Sequence, residues 1–397
     1  MSLPTIKLRK DQERRLRAGH LWIYSNEVDT AATPLRDFSP GDPVAIHSQR
    51  GRWLGNGYVN PHSLICARLL SEDPRQALDA GFLRKRLADA LALRERRYAQ
   101  PFYRLVFGES DRVPGLVVDR YGDYLAVQIT TAGMERLKDE ILQVLTELLN
   151  PLGIVLRNDS NVREFEHLDL YVEVAAGNVP EDVAIEEGGC RFEVSLSGGQ
   201  KTGWFYDQAA NRDRMATYVT GKRVLDVCSY VGGWGIRAAA AGAEAVTCVD
   251  ASEGALARVR HNAEIGGLSG LVSTRAGDAF EVLREMRQQG ETFDVVLVDP
   301  PAFVKRRKDL AEGTLAYRRL NQTALELLTG DGLLVTSSCS FHMDRTRFLH
   351  TVQQAGRRAG RFLRLLEHGQ QAPDHPVHPA IDETEYLKTL FLWSAPL

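Results

Sequence analysis

The amino-acid sequence predicts an α/β protein, with a mostly parallel, doubly wound sheet in the C-terminal half behind a small β-barrel and an α+β unit. The first observation is alternation beyond residue 190. Apolar, strand-sized segments (KRVLDVC, AVTCVD, LVSTRAGD, FDVVLVDP, GLLVTSSCS) are separated by helical ones such as SEGALARVRHNAE, AFEVLREMRQQ and TLAYRRLNQTALELLT. That pattern specifies parallel strands joined by right-handed crossovers, with helices on both faces. The second observation is how the chain closes. After a further helix, DRTRFLHTVQQAGRRA, the segments RFLRLLEH and YLKTLFLWS follow with no convincing helix between them. Two closing antiparallel strands are therefore expected, making seven in all.

Residues 1–79 contain the short β-like pieces PVAIHS, RWLGNGYVN and SLICARLL, broken by Gly41-Asp42-Pro43, Gly51, Gly55, Gly57 and Asn60-Pro61. Turns at such short spacing predict a small barrel. From Ala80 the run GFLRKRLADALALRERRYA repeats leucine at helical spacing, with basic residues on its other faces. This change of pattern marks a domain boundary. A middle domain over 80–187 follows, with RLVFG, LVVDRYGDYLAVQIT and GIVLRND arranged around the amphipathic helix ERLKDEILQVLTELL. It reads as a compact α+β unit, which leaves 188–397 for the catalytic domain.

At 397 residues and 44% hydrophobic, the chain can build several cores and is too ordinary in composition to be disordered or fibrous. Its longest apolar runs are strand-sized. The N-terminus, with Lys7, Arg9, Lys10, Arg14, Arg15 and Arg17 among polar residues, has no apolar core of a secretory signal. Cytoplasmic residence and no membrane partner are expected. Cys66, Cys190, Cys228, Cys248 and Cys339 are odd in number and lack CxxC spacing, so neither a disulfide framework nor a zinc site is suggested. Asp374-His375-Pro376 and His378-Pro379 have no further ligand nearby, so no metal is expected there either, and the segment reads as a loop that orders the active site. The net charge of −3 hides an asymmetry: residues 1–100 hold 17 Lys+Arg against 11 Asp+Glu, or +6, leaving −9 for the remainder. A basic front end hints at a polyanionic partner; a solvated surface with scattered charge is the bland alternative.

The first strand of the C-terminal sheet runs into Asp226-Val227-Cys228-Ser229-Tyr230-Val231-Gly232-Gly233-Trp234-Gly235. Glycines in such a turn let backbone approach a ligand where a Cβ would collide. The second strand ends in Asp250, where an acid can accept hydrogen bonds from a ribose. The third is followed by Gly277-Asp278-Ala279, where an acid can take an adenine amino proton. Either acid alone is more often a helix N-cap, but three signals in order at successive strand ends are far more specific. A dinucleotide site would carry G-x-G-x-x-G, which SYVGGWG does not fit. No Walker loop is present. S-adenosylmethionine (SAM), with ribose and adenine but no phosphate, meets the remaining constraints.

Asp299-Pro300-Pro301 ends the fourth strand and Cys339, among Ser337, Ser338 and Ser340, ends the fifth. An acid and a thiol at the carboxyl ends of neighbouring strands lie where such sheets transform ligands, and the pairing suits nucleophilic chemistry on a planar ring. Carbon 5 of a pyrimidine is a poor nucleophile until a thiolate adds to carbon 6. Asp299 can hold the ring's N3 and exocyclic amine. Cys66 and Cys248 read as buried filler. A base must be single-stranded or flipped to reach such a cleft, and Lys305, Arg306, Arg307 and Lys308, directly after the DPP segment, can hold nearby phosphates or simply form a solvated loop. Trp22, Tyr24, Trp53 and Tyr58 can stack on bases, or pack the barrel core.

These segments resemble the bacterial SAM-dependent 23S ribosomal RNA methyltransferases that carry an N-terminal PUA domain, especially their cytosine-C5 branch. KLRKDQERRLRAGHLWIYSNEV and GYVNPHSLICARLL resemble the PUA segments, ESDRVPGLVVDRYGDYL the middle domain, and GGQKTGWFYDQAANR the segment that enters the catalytic domain and covers the cofactor; DVCSYVGGWG, VDPPAF, TSSCS, DHPVHP and EYLK complete the match. The resemblance implies a class I Rossmann-like methyltransferase with a seven-stranded sheet, SAM as cofactor, 23S ribosomal RNA as partner, naked or in a pre-ribosomal particle, and Cys339 as nucleophile assisted by Asp299. It implies cofactor contacts from Thr202, Tyr206, Asp226, Ser229, Gly232, Gly233, Asp250, Asp278, Ala279 and Asp299, and RNA contacts from Lys7, Arg9, Arg14, Arg15, Lys305 and Arg306. Ala302 stands after DPP where two-cysteine enzymes have another thiol, so release must use a different base. Relatives of this architecture modify guanine N7; a uracil-C5 enzyme or a non-catalytic ribosome-assembly factor are further alternatives, and a homodimer is one option for the assembly.

Overall fold

The computed structural model describes residues 3–199 and 202–397. Two compact units divide the chain. The first takes Met1–Val183, Ser195–Tyr206 and Pro373–Thr384; the second takes Ala184–Val194, Asp207–Ala372 and Glu385–Leu397.

The first unit opens with a five-stranded sheet in the order β1-β3-β4-β5-β2. Its members are β1 (Thr5–Lys7), β2 (Trp22–Ile23), β3 (Asp42–His47), β4 (Trp53–Val59) and β5 (Ala67–Ser71), with the single helical turn α1 (Arg14–Arg17) after β1. Ile6, Ile23, Val44, Ile46, Val59, Cys66 and Leu69 fill its core. The strand expected from Ser63 begins only at Ala67, because Asn60 N closes a loop onto the Cys66 carbonyl at 2.7 Å. Helix α2 (Ala80–Glu95) then starts where the Asp79 carboxylate accepts from Phe82 N, satisfying one of the amide donors a helix start leaves open. It packs on a second sheet, in the order β10-β9-β8-β7-β6. These strands are β6 (Phe102–Phe107), β7 (Leu116–Tyr121), β8 (Tyr124–Ile129), β9 (Gly153–Asn158) and β10 (Tyr171–Gly177). Between β8 and β9 the chain passes through the turn α3 (Ala132–Glu135) and through α4 (Lys138–Leu149). Ile141, Val144 and Leu145 put one face of α4 into the core, and this crossover lets β8 and β9 pair in parallel.

Buried polar groups fasten the two sheets of this unit to each other. The Tyr58 hydroxyl donates to the Pro114 carbonyl at 2.8 Å and sits 2.9 Å from Thr131 Oγ1. A Cβ at Gly133 would stand 2.0 Å from the Tyr58 ring, so only glycine permits that packing. Tyr58 is enclosed and cannot serve as a stacking platform for a base. Trp22 is tied by Nε1 to Glu109 at 2.9 Å. Arg68 and Glu166 form a buried ion pair at 2.9 Å, and Glu166 also accepts from Asn60 Nδ2 at 2.7 Å.

The second unit begins with a hairpin of β11 (Val183–Glu187) and β12 (Cys190–Val194), then α5 (Ala209–Ala216). Its main sheet has seven strands in the order β15-β14-β13-β16-β17-β19-β18. They are β13 (Arg223–Val227), β14 (Ala245–Asp250), β15 (Val272–Ala276), β16 (Phe293–Val298), β17 (Leu328–Ser338), β18 (Arg361–Gln370) and β19 (Lys388–Pro396). The helices are α6 (Gly233–Ala240), α7 (Glu253–Ile265), α8 (Ala279–Gln288), α9 (Leu310–Glu326) and α10 (Arg345–Arg358). Apolar layers cover both faces of the sheet, one around Val296, Tyr317 and Phe348 and the other around Val224, Trp234 and Val295.

The two closing strands are antiparallel to each other and make seven, as expected. β19 is antiparallel to both β17 and β18, so β18 runs with the parallel set and β19 alone is reversed. Helix α10 is the reason: it is a crossover that returns the chain to the starting edge, two positions beyond β17, and β19 fills the gap. Strand order reverses at β13, between β14 and β16, and such a switch point opens a crevice at the carboxyl ends of the strands. Among the described residues, no helix is long and apolar enough to cross a membrane.

Breaking one partner of a buried ion pair leaves the other charge uncompensated, at a cost of about 3–5 kcal/mol. Arg68→Met is expected to destabilise the first unit by that order. Arg68→Met combined with Glu166→Leu is expected to recover part of the loss. Chemical denaturation of the three proteins measures both effects.

Candidate active site

The switch-point crevice receives the loop after β13. Here Cys228 (φ 64°) and Tyr230 (φ 50°) both hold left-handed backbone, which costs a non-glycine residue energy and is concentrated at functional sites. Three hydrogen bonds enforce the shape: Ser229 N to the Val249 carbonyl at 3.0 Å, Gly232 N to the Ser229 carbonyl at 2.9 Å, and Tyr230 N to Asp250 Oδ2 at 2.9 Å. Gly232, at φ 88°, precedes α6, and Gly233 is the first residue of that helix.

Asp226 is enclosed beneath this turn at 0% exposure, where its Oδ2 accepts from Gly235 N at 2.9 Å. Burial pushes its carboxyl up to about 7, opposed by the Gly235 amide and reinforced by Asp299 and Asp250. Its Oδ1 and the Ser229 hydroxyl are buried polar atoms with no partner among the described residues. Asp250, at the end of β14, uses Oδ2 for Tyr230 N and Oδ1 for Ser252 N, both at 2.9 Å. Asp278 is the N-cap of α8, its Oδ1 accepting from Phe280 N and Glu281 N, and Ala279 opens that helix. Asp278 is exposed, and its other oxygen makes no bond among the described residues.

β16 delivers Asp299 and β17 delivers Cys339. The two strands pair in parallel, with Val298 opposite Thr336, so the acid and the thiol leave neighbouring strands at the same end of the sheet. Gln208 Nε2 and Trp234 Nε1 each donate to Asp299 Oδ2 at 3.0 Å. Burial still raises the carboxyl to about 6, with Trp234 pulling it down and Asp207 pushing it up. Buried serines hold Cys339 on both sides: the Ser338 hydroxyl bonds to the Tyr317 hydroxyl at 3.0 Å, and the Ser340 hydroxyl lies 2.9 Å from it. Ser340 Oγ also accepts from Val304 N at 3.1 Å, tying this strand end to the chain after Asp299-Pro300-Pro301. Cys339 itself is partly exposed, whereas Cys66 and Cys248 are buried.

Thr202 and Tyr206 belong to the first unit. There Thr202 Oγ1 donates to Asp119 at 2.5 Å, and the Tyr206 hydroxyl donates to the Arg120 carbonyl at 2.9 Å. Among the basic residues, Arg9 donates to the Val28 carbonyl, Arg14 pairs with Asp11, Arg15 with Glu27 and Arg306 with Asp309. The ammonium groups of Lys7 and Lys305 make no bond among the described residues. The segment with Asp374 and His375 packs inside the first unit, where Asp374 accepts from Arg104 N at 2.8 Å and its carbonyl from Arg94 at 2.9 Å. Sequence reasoning missed Gln208, Trp234, Tyr317 and Lys388. Trp234 stands inside the glycine turn, and Lys388 is a cation in the otherwise apolar KTLFLW; both were visible signals.

Comparison with known proteins gives this geometry its context. A model of the PUA-like domain matches residues 6–72, and one of the S-adenosylmethionine-dependent methyltransferase family matches residues 139–392. The chain belongs to the S-adenosylmethionine-dependent methyltransferases. "Ribosomal RNA large subunit methyltransferase I" of Aeromonas salmonicida is 39% identical to this methyltransferase over 97% of the chain and 98% of its own length. The protein of the same name from Aliivibrio fischeri is 38% identical, with the same coverage. Among solved structures, the methyltransferase SMU.776 complexed with SAH superposes with a TM-score of 0.83 at 23% identity, covering 99% of this chain and 100% of that one. A SAM-dependent methyltransferase from Streptococcus mutans gives a TM-score of 0.82 at 21% identity, with 98% and 100% covered. The cofactor is SAM, and the donor set fits it: a strained turn without side-chain bulk at Gly232 and Gly233, an unpartnered Ser229 hydroxyl, and acids at the ends of β14 and β16.

Because the Asp299 carboxyl is raised in the folded protein, its neutral form is favoured there, and stability falls as pH rises from the unfolded value near 4 through about 6. Asp299→Asn is expected to stabilise the second unit by on the order of 2–3 kcal/mol above that window and to have no effect below it. Thermal unfolding across pH checks the sign.

Proposed function

We propose that this methyltransferase forms 5-methylcytosine in 23S ribosomal RNA, with Cys339 adding covalently to carbon 6 of the target ring. The observation that carries the reading is the parallel β16–β17 register, which ends one strand in a carboxyl and the next in a partly exposed thiol. The names of the relatives support ribosomal RNA of the large subunit as substrate, and the PUA-like domain supports RNA binding.

In this reading the Cys339 thiolate attacks carbon 6, and carbon 5 gains enamine character. SAM, when bound, supplies an electrophilic methyl group. Carbon 5 takes that methyl and leaves the bond's electron pair on the cofactor's sulfur, now a thioether. A base other than Cys339 then takes the carbon 5 proton, the C5=C6 double bond re-forms, the C6–S bond breaks, and its electron pair returns to the cysteine sulfur. Asp299, held by Gln208 and Trp234 and raised to about 6, meets N3 and the exocyclic amine of cytosine in this reading. A carboxyl near its titration point there can give a proton as electron density moves onto the ring. Asp250 and Asp278 supply oxygens for ribose and adenine, with Ala279 at the adenine side. Asp226 works from beneath, fixing the turn that Ser229, Gly232 and Gly233 present to the cofactor. Lys7, Arg9, Arg14, Arg15, Lys305 and Arg306 supply charge for RNA phosphates.

Ribosomal RNA from a strain lacking the protein is expected to lose one 5-methylcytidine by nucleoside mass spectrometry; loss of a 7-methylguanosine or 5-methyluridine instead would replace the cytosine reading. Cys339→Ala is expected to abolish methylation with SAM affinity nearly unchanged, and retained turnover would remove the nucleophile assignment. Asp250→Ala is expected to weaken SAM binding by about 1–3 kcal/mol, as loss of hydrogen bonds to a buried ligand does. Calorimetry measures it.

A further inference from the structure

Lys388 is a buried cation for which neither the fold nor the reaction above has given a role. It begins β19, lies opposite Ser338 in the β17–β19 register, and is 4% exposed. Its ammonium donates to the Ser340 carbonyl at 2.6 Å and to the Tyr386 carbonyl at 2.7 Å. Lys388 is thus anchored to the residue before Cys339 through the strand register and to the residue after it through Nζ. An ammonium has three N–H donors, and the third has no protein partner among the described residues. A lysine confined in this way is costly unless its charge is used.

We propose that Lys388 is the positioning residue that keeps Cys339 as a thiolate at neutral pH. The inference rests on Cys339 being the nucleophile and adds how it is activated. The S–H bond breaks, the proton leaves to water on the exposed side of the thiol, and the electron pair stays on sulfur beside the ammonium. Lys388 keeps its own proton throughout.

The surrounding charges allow this. Asp344 and Arg345 at the start of α10 and Glu385 before β19 face the lysine. Arg345 and Glu385 pair with each other at 3.4 Å, which limits what either contributes. From α9 comes the Tyr317 hydroxyl, occupied by Ser338 and Ser340 and held above its ordinary range by burial first and by the Cys339 charge among other causes. Burial lowers Lys388 to about 8, while Cys339 is the largest influence raising it again. By linkage, whatever the thiolate does for the ammonium, the ammonium does for the thiolate.

The test is a titration of the full-length protein. The ultraviolet thiolate absorbance of wild type minus that of Cys339→Ala gives the Cys339 inflection without altering Lys388. It is expected below the ordinary thiol value of about 8.5. Iodoacetamide labelling read by peptide mass spectrometry gives the same inflection independently, since Cys66, Cys190 and Cys248 are buried and the peptide of the partly exposed Cys228 is resolved from that of Cys339. In Lys388→Met the inflection is expected to rise by about one unit, with alkylation near neutrality slowed about tenfold and SAM affinity unchanged. Lys388→Arg, which keeps the charge, is expected to retain the low inflection. A wild-type inflection at or above about 8.5, or one that Lys388→Met leaves in place, overturns the proposal. Should Lys388→Met fail to fold, the wild-type difference titration decides alone. Methylation surviving in Cys339→Ala sinks the nucleophile itself, whereas an ordinary thiol titration in an enzyme that still needs Cys339 sinks only the role of Lys388.

Discussion

The parallel pairing of β16 with β17 is the constraint on which the site depends. With Val298 opposite Thr336, both strands run out at one edge, and whatever residues follow them become neighbours. A slip of one residue would turn every side chain of a strand to the other face of the sheet. The apolar layers on both faces resist that slip, so the positions of a carboxyl and a thiol are set by hydrophobic packing well below them. Chemistry at the rim inherits its precision from the core.

Around that edge the structure spends polar groups on orientation. Asp299 is gripped through one oxygen by Gln208 and Trp234, and its other oxygen makes no bond among the described residues. Tyr317 collects the hydroxyls of Ser338 and Ser340, so the backbone flanking Cys339 is fastened while the thiol remains partly exposed. Such support separates a group that is merely present from one held in productive geometry. The strained residues Cys228 and Tyr230 are held in the same manner, by main-chain bonds and by Asp250.

Much of this was legible from residues alone. Strand–helix alternation gave the doubly wound sheet, and the glycine turn, Asp250, Asp278, Asp299 and Cys339 fall, as read, at or just after the carboxyl ends of five successive strands, β13 to β17. Direction within the sheet was less legible: the helix before RFLRLLEH is a crossover, and nothing in local pattern says that β18 lands two positions from β17 and leaves the place between for β19. Side-chain partners were least legible. Gln208 reaches Asp299 across 91 positions, and Lys388 reaches Ser340 across 48. Tyr58 read equally as a stacking aromatic or a core residue, and only the glycine at position 133 and the carbonyl of Pro114, far along the chain, decide for the core.

The route of the chain carries one more consequence. Segments 195–206 and 373–384 belong to the first unit although the stretches beside them belong to the second, and Asp374 is bonded there to Arg94 and Arg104. Neither unit is a continuous piece of polypeptide. A cut at any single point between 195 and 384 would therefore strand one of these inserts from the unit it folds with.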